Sequence, residues 1–172
     1  TGDEAQILSK LNLPFFIDKN RVRAIKKLLN NHDCDVIISD DGLQHYPMRR
    51  DIEIAVIDGK RRFGNNLTFP AGPLRETSQR VNSVDFIVNN SGPTEENEFL
   101  MNISPSKFVH LKSGKKYSID EWPMHNQVHA VAGLGNPGRF FDLLSKLGFD
   151  LIRHPYPDHH NFHSSDIFYL DH

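Results

Sequence analysis

The stretch Asp35-Val36-Ile37-Ile38-Ser39-Asp40-Asp41-Gly42-Leu43-Gln44-His45-Tyr46 decides how the rest of the sequence is interpreted. Its unbroken apolar run is typical of a strand that is covered on both faces in a parallel sheet. Asp40 and Asp41 follow this run at the carboxyl end, the edge at which open parallel sheets bind their ligands. Adjacent acids there suit a Mg²⁺ ion that serves phosphoryl transfer. The alternative is an acidic turn after an ordinary strand, because Asp-Gly is itself a turn signal.

The composition restricts the class of protein. Among the 172 residues, 20 basic side chains stand against 22 acidic ones, which gives no broad positive surface for nucleic acid. A single cysteine, Cys34, excludes an intramolecular disulfide and fits a reducing compartment. No stretch approaches the ~18 apolar residues of a membrane-spanning helix. Because the sequence starts at Thr1 without methionine and stops at His172 without a closing element, we expect it to be an internal piece of a longer protein.

Strands and helices alternate along the sequence, a pattern that predicts a parallel α/β sheet. In the first part, strands are expected over residues 14–17, 35–40, 52–58 and 85–89, and helices over 5–11, 20–31 and 72–82. The helix over 20–31 is the clearest, because its apolar residues recur at helical spacing. A β-hairpin is expected over 107–120, followed by a second α/β unit with strands over 128–132 and 150–154 around a helix over 139–147.

The segment Gly133-Leu134-Gly135-Asn136-Pro137-Gly138 fits the dinucleotide-binding pattern G-x-G-x-x-G between a strand and a helix. Dinucleotide binding also requires an acid at the end of the following strand to hold the ribose. The following strand runs instead into Arg153, His154 and Pro155. We therefore favour a tight turn with close packing, and keep a non-catalytic nucleotide-binding module as an alternative.

Four histidines gather near Asp158 in a short segment: His154, His159, His160 and His163. Imidazole and carboxylate groups are zinc ligands, so a metal-dependent hydrolase using Asp40, Asp41 and this cluster is another possibility. Two prolines in the segment preclude a continuous helix that would align His159 with His163. Solvated loop histidines, or one histidine that shares a proton with a carboxylate elsewhere, also remain open.

Two loops that follow strands, residues 58–65 and 70–76, combine arginines with glycines. Guanidinium groups and free backbone N–H groups in such loops can hold phosphate. A basic loop that is merely solvated is the alternative.

The ordered set of these motifs resembles the tetraacyldisaccharide 4′-kinase family over nearly the whole sequence. The motifs are Gly2-Asp3-Glu4, Ser39 to Tyr46, Asp58-Gly59 with Arg62 to Asn65, Pro70 to Glu76, Ala132 to Pro137, and Asp158-His159-His160. The resemblance implies a P-loop kinase of lipid A biosynthesis in Gram-negative bacteria. Such a kinase moves the γ-phosphate of ATP to the 4′-hydroxyl of a tetraacylated disaccharide 1-phosphate and forms lipid IVA.

The resemblance also implies an architecture and a location. Two α/β/α domains joined by a two-stranded linker are expected, so that residues 1–106 would be an incomplete kinase core. Residues 107–127 would be the linker, and residues 128–172 would begin a smaller α/β domain. The family associates peripherally with the cytoplasmic face of the inner membrane through its N-terminal part. Its partner is therefore the lipid substrate at that surface, and no nucleic acid is expected.

Single residues receive roles from the same resemblance. Asp40 and Asp41 would be the Walker B acids that position Mg²⁺, and Asp3 would be the general base on the sugar hydroxyl. His159 would pair with Asp3 across an interdomain cleft, with His160 as the second choice. Further contacts to magnesium, phosphate or sugar are expected from Glu4, Gln44, His45, Arg21 and Arg75.

One element of the family pattern is missing from the sequence. The family has a Gly-Lys-Ser/Thr P-loop, whereas Gly59-Lys60 and Gly114-Lys115 are each followed by a basic residue. We therefore expect the ATP phosphate cradle to lie upstream of Thr1, and this stretch alone to be catalytically inactive.

Overall fold

A computed structural model of the protein describes residues 3–122 and 126–166. The chain divides into two compact units, Thr1–Ile103 and Ser104–His172. Each unit contains parallel strands together with helices, which confirms the predicted parallel α/β class. The predicted division into three parts at 106/107 and 127/128 stays a prediction. Within the described residues, no helix has the length and apolar character needed to cross a membrane.

The first unit combines two helices with a parallel sheet. The elements are α1 (Asp3–Leu8), α2 (Arg21–Asn31), β1 (Ile54–Asp58), β2 (Phe86–Asn90) and β3 (Glu98–Met101), with sheet order β1-β2-β3. Helix α2 begins after Asn20, whose side chain accepts a hydrogen bond from the Arg23 backbone N–H at 3.0 Å. This N-cap and the apolar face that buries Leu28 explain why the helix predicted over 20–31 is confirmed.

Two predicted strands of the first unit are wrong. Residues 14–17 and 35–40 form no strand in the structure. Val36 and Ile38 are 76% and 90% exposed, so the run predicted to be covered on both faces is open to solvent. A strand of a parallel sheet exists only where a neighbour pairs with its backbone. No strand of the described residues pairs with either segment.

The helix predicted over 72–82 is also wrong. The backbone of Leu74 bonds across to Leu67 and Phe69, at 3.2 Å and 2.8 Å, rather than along a helix. Only a short 3₁₀ helix, Ser78–Ser83, follows it. Strand β3 was missed, because the polar residues before it suggested a break, although the run Phe99-Leu100-Met101 itself is apolar.

One face of the first sheet is apolar and uncovered. The parallel register places Ile54 beside Phe86, and Val88 beside both Val56 and Phe99. The Phe86 and Phe99 rings meet edge to face with centroids 5.9 Å apart. Ile54, Val56, Phe86 and Phe99 are each more than 40% exposed. We call these four side chains the open face of the sheet.

A buried polar network lies on the other side of this sheet. Asn89 is fully buried, and its amide donates to Glu98 and to the carbonyl of Pro93, both at 2.8 Å. Arg62 reaches the same Glu98 carboxylate at 2.7 Å. Burial raises the pKa of Glu98, but the hydrogen bonds from the Glu95 backbone, Asn89 and Arg62 together hold it below its ordinary value.

Glu53, directly before β1, is held by two arginines. Its carboxylate lies 2.5 Å from Arg50 and 2.7 Å from Arg80, with only 16% of the side chain exposed. The hydrogen bond from Arg80, with smaller contributions from both charges and Arg50, lowers the pKa of Glu53. A carboxyl group whose folded pKa is lowered stabilises the fold above its unfolded pKa. That contribution is lost as the pH falls through the folded pKa.

Replacing Glu53 by glutamine should therefore cost about 1–3 kcal/mol of unfolding free energy near neutral pH. We expect the difference from the parent to shrink as the pH falls below the ordinary glutamate value of 4.5. Urea unfolding of the full-length protein at several pH values measures both effects. The matched control is Glu96→Gln, since Glu96 is exposed and has no ion pair within the described residues. A pH-independent loss for Glu53→Gln would contradict the ion-pair explanation.

The second unit contains a hairpin and a βαβ motif. Strands β4 (Lys107–Val109) and β5 (Lys116–Ser118) pair antiparallel, which confirms the hairpin predicted over 107–120. Phe108 of this hairpin contacts Trp122 and Phe149, with ring centroids 4.6 Å and 5.5 Å away. The hairpin therefore packs against two other aromatic side chains of the second unit.

The βαβ motif follows the predicted order. Strands β6 (Gln127–Gly133) and β7 (Asp150–Tyr156) pair in parallel, and α3 (Pro137–Lys146) connects them. Phe141 of α3 is buried against Ala130 and Ala132 of β6, which forms the core of this motif. The chain leaves α3 through Gly148, whose φ of +91° is one that other residues rarely adopt. The strands predicted over 128–132 and 150–154 and the helix over 139–147 are thus confirmed.

Candidate functional site

Asp40 and Asp41 lie in an exposed turn at the end of the extended segment 35–39. Asp41 has a φ of +49°, a left-handed conformation that aspartate tolerates better than most residues. Within the described residues, neither carboxylate has a hydrogen-bond or ion-pair partner. Two uncommitted carboxylates side by side offer the oxygen ligands that Mg²⁺ prefers. The donor set therefore fits a magnesium ion.

Two arginines support this turn. Arg21, at the start of α2, donates to the hydroxyl of Ser39 at 3.3 Å, directly before Asp40. Arg50 donates to the carbonyl oxygens of Gly42 at 2.8 Å and His45 at 3.2 Å. Because both arginines bind polar groups of the turn, they fix its path beside α2.

A third contact joins the turn to the loop at 70–76. The amide of Gln44 donates to one carboxylate oxygen of Glu76 at 2.9 Å, and the hydroxyl of Tyr46 donates to the other. Arg75, the residue before Glu76, is exposed. The structure thus brings six predicted residues onto connected segments: Arg21, Asp40, Asp41, Gln44, His45 and Arg75.

The loop at 58–65 does not offer the phosphate contacts that its arginines suggested. Arg62 forms ion pairs with Glu95 at 2.8 Å and Glu98 at 2.7 Å. The backbone N–H groups of Lys60 and Arg61 donate to the Asp58 carboxylate at 2.9 Å and 3.0 Å. The expectation is therefore wrong for Arg62, whose charge serves the buried network of the sheet.

A basic groove of about 670 Å³ lies beside the N-terminal half of α2, lined by Lys19, Asn20, Val22, Arg23, Lys26, His45 and Pro47. Arg23 is paired with Asp18 at 2.5 Å. Hydrogen bonds from the Arg23 side chain and the Asn20 backbone lower the pKa of Asp18 to about 2. Lys19 and Lys26 have no acidic partner within the described part of the chain. His45 thus faces a positively charged groove next to the turn of Asp40 and Asp41.

In the second unit, the structure separates the two adjacent histidines. His159 has a φ of +53° and a side chain that is 64% exposed, 3.9 Å from the Asp158 carboxylate. His160 is 26% exposed and its Nε2 lies 3.0 Å from Asp166. The His160 ring also stacks on Tyr156, with centroids 4.6 Å apart. His160 is therefore a packed side chain, whereas His159 is presented to solvent.

Asp3 and Glu4 begin α1, and their side chains lie outside the described part of the structure. Asp3 belongs to the first unit and His159 to the second. Their pairing therefore stays a prediction.

The family model described as "Tetraacyldisaccharide-1-P 4'-kinase", LpxK, matches residues 1–172. The chain belongs to this family. Tetraacyldisaccharide 4′-kinases of Ruthia magnifica and Shewanella frigidimarina are each 45% identical to it over 99% and 96% of the chain. These matches cover 54% and 49% of the two relatives, so the chain spans about half their length. A crystal structure of LpxK from Aquifex aeolicus in complex with ATP is 25% identical over 70% of this chain and 39% of that chain, with a TM-score of 0.49.

Membership of the LpxK family leaves the metal-dependent hydrolase without support. Within residues 3–122 and 126–166, no three histidine, cysteine or acidic side chains are placed to hold a metal ion together. His154 lies instead against His129 of the neighbouring strand, with 2.9 Å between ring nitrogens.

The space over the glycine-rich turn is occupied by side chains of the same unit. A Cβ atom on Gly133 would lie 3.1 Å from the Phe162 ring, and one on Gly135 would lie 3.2 Å from the Asp158 carboxylate. A pyrophosphate over Gly135 would meet a negative charge rather than free N–H groups alone. This agrees with the close-packed turn favoured from the sequence, and nothing supports the nucleotide-binding module.

Sequence reasoning missed the residues that brace the site, namely Ser39, Arg50 and Glu76. Ser39 and Glu76 are sequence neighbours of the predicted residues Asp40 and Arg75, and Arg50 follows Arg49. Their roles depend on partners 8 to 32 positions away, at Gly42, Arg21 and Gln44. Local patterns carry no signal for such contacts.

Proposed function

We propose that this chain is part of a kinase that transfers the γ-phosphoryl group of ATP to the 4′-hydroxyl of a tetraacyldisaccharide 1-phosphate. The product would be lipid IVA, an intermediate of lipid A biosynthesis. The family match over residues 1–172 carries this proposal. Because the chain spans about half the length of its relatives, the phosphate cradle for ATP would be supplied by the rest of the protein.

Asp40 and Asp41 would hold a Mg²⁺ ion at the end of the 35–39 segment, with Glu4 as a further acidic contact. When bound, Mg²⁺ neutralises the charge that develops on the transferred phosphoryl group. Arg21 and Arg50 support this function by fixing the turn from both sides. Arg75 and Arg21 would contact phosphate oxygens, and Gln44 and His45 would contact the sugar or its phosphate.

Asp3 would accept the proton of the 4′-hydroxyl. A carboxylate alone is a weak base at neutral pH, and an imidazole that shares the proton makes the transfer more favourable. The His159 side chain is 64% exposed, which supports this histidine as the partner. The packing of His160 argues against the same role for that residue.

The proposed location is the cytoplasmic face of the inner membrane, with peripheral attachment. A substrate with four acyl chains resides in a bilayer, so its kinase must act at that surface. The attachment itself would lie in the part of the protein beyond this chain.

The proposal is tested with the full-length protein, Mg²⁺, γ-labelled ATP and the tetraacyldisaccharide 1-phosphate in detergent micelles. We expect label to appear on the 4′ position of the lipid. The 172-residue chain alone should transfer none, since it lacks a Gly-Lys-Ser/Thr sequence. Hydrolysis of ATP without lipid phosphorylation by the full-length protein would refute the proposed acceptor.

Replacing Asp41 by asparagine should weaken the magnesium site. Removing one carboxylate charge is expected to raise the Mg²⁺ concentration needed for half-maximal rate by about 10- to 100-fold. Excess Mg²⁺ should restore part of the rate. Titration of the rate with Mg²⁺ measures this shift, with Asp35→Asn as the control because Asp35 is exposed and lies outside the turn. An unchanged Mg²⁺ requirement in Asp41→Asn would remove Asp41 from the metal site.

A further inference from the structure

Asp166 binds two residues of the loop that carries His159. One of its oxygens lies 3.0 Å from Nε2 of His160 and accepts the backbone N–H of His163 at 2.8 Å. The Asp166 backbone N–H donates in turn to the carbonyl of His163 at 3.0 Å. Asp166 therefore links His160 and His163 at the C-terminal end of the loop.

The same residue is tied to the end of the sheet. The hydroxyl of Tyr156, the last residue of β7, donates to the Asp166 carbonyl at 3.1 Å. The Tyr156 ring stacks on His160 with an interplanar angle of 27°. Phe162 meets the same imidazole edge to face, with centroids 4.9 Å apart. The His160 ring is thus held by Asp166 at its Nε2 atom, by Tyr156 against its face and by Phe162 edge to face.

Close approach to the glycine-rich turn fixes this cluster on β6. A Cβ atom placed on Gly133 would lie 3.1 Å from the Phe162 ring and 3.3 Å from the Cβ atom of His160. A Cβ atom at this position would press on both side chains, so glycine favours this close approach of the loop to the strand end. Hydrogen bonds from the His163 backbone N–H and from the His160 side chain hold the pKa of Asp166 below its ordinary value. The acid is therefore ionised at neutral pH.

We propose that Asp166 is a positioning residue, which holds His160 and the backbone of His163 and thereby fixes the turn that presents His159. This inference rests on the proposed role of His159 as partner of Asp3. His159 lies in this turn with a left-handed backbone, directly before His160. Asp166 holds the His160 ring and the His163 backbone, and thereby the segment that follows His159. A displacement of about 1 Å at a reacting group can cost about 100-fold in rate.

The test compares variants of the full-length protein in the lipid phosphorylation assay. Asp166→Ala should lower kcat by about 10- to 100-fold and change the KM for ATP less than about twofold. Asp166→Asn keeps an oxygen acceptor for both N–H groups and should recover most of kcat. Asp142→Ala is the matched control, because Asp142 is exposed on α3 in the same unit. Nitrogen-15 spectra of the histidine rings should show that the hydrogen-bonded Nε2–H of His160 is lost in Asp166→Ala alone.

Unchanged kcat in Asp166→Ala would overturn the inference, and so would a loss of kcat with an equal rise in both KM values. Should Asp166→Ala fail to fold, His160→Ala decides in its place, and full kcat there overturns the inference.

His159→Ala is measured in parallel. A large loss for His159→Ala with none for Asp166→Ala refutes only the positioning role. Full activity of His159→Ala refutes the proposed base pair, and the positioning role with it.

Discussion

Replacing Asp3 by asparagine is expected to lower kcat of the full-length kinase by about 10²- to 10⁴-fold, the usual contribution of a general base. Asparagine has the same shape and cannot accept the hydroxyl proton. Because the change removes a function used in the transition state, the KM values for ATP and lipid should change little. Steady-state kinetics with both substrates varied separate these quantities. Asp33→Asn is the control, since Asp33 is exposed beyond α2.

The pairing of Asp3 with His159 adds a sharper test. His159→Ala should also lower kcat strongly, and the double variant should lose little beyond the Asp3→Asn variant if the two residues act as one unit. Multiplicative losses would show that the two side chains act independently. Near-normal turnover of Asp3→Asn would remove Asp3 from the role of base.

Replacing Gly59 by alanine should have the largest effect on stability, about 3 kcal/mol of unfolding free energy. A Cβ atom there would lie 1.9 Å from Oδ1 of Asn89 and 2.4 Å from the carbonyl oxygen of Ser91. Neither group can retreat easily, because Asn89 is fully buried and hydrogen-bonded to Glu98. The network that holds β2 to β3 must therefore shift to admit one methyl group.

Urea unfolding of full-length Gly59→Ala, followed by circular dichroism, measures this loss. Lys60→Ala is the matched control, since Lys60 is the exposed next residue and its side chain has no partner within the described residues. Gly59→Ala and Asn89→Ala should not be additive, because removing the Asn89 amide opens the space that the methyl group needs. Parent-like stability of Gly59→Ala would show that the loop relaxes away from Asn89.

The elements that were predicted correctly are those whose determinants lie within their own sequence. Helix α2 has its cap and its apolar spacing within its own sequence, and β6, α3 and β7 follow each other with short connections. The segment around Ile38 was predicted wrongly for the opposite reason. Its composition suits a central strand, but a strand also requires a paired neighbour, and no local pattern reports whether one is present.

The site divides in the same way. Asp40, Asp41 and Arg75 stand out in the sequence because each is a charged residue in a glycine-containing segment after a predicted strand. Glu76 does not stand out, since its function depends on Gln44 and Tyr46, more than two dozen positions earlier. Between His159 and His160, the choice required ring contacts and exposure, which only the structure supplies.

The open face of the sheet has a practical consequence for anyone who produces this chain alone. Its exposed aromatic and aliphatic side chains, Ile54, Val56, Phe86 and Phe99, form a contiguous apolar patch. Beside it, β1 and β3 are the edge strands of the sheet in the part of the chain that the structure describes. Such a surface favours self-association during expression and storage. Activity lost by the isolated 172 residues must therefore be distinguished from material lost to aggregation.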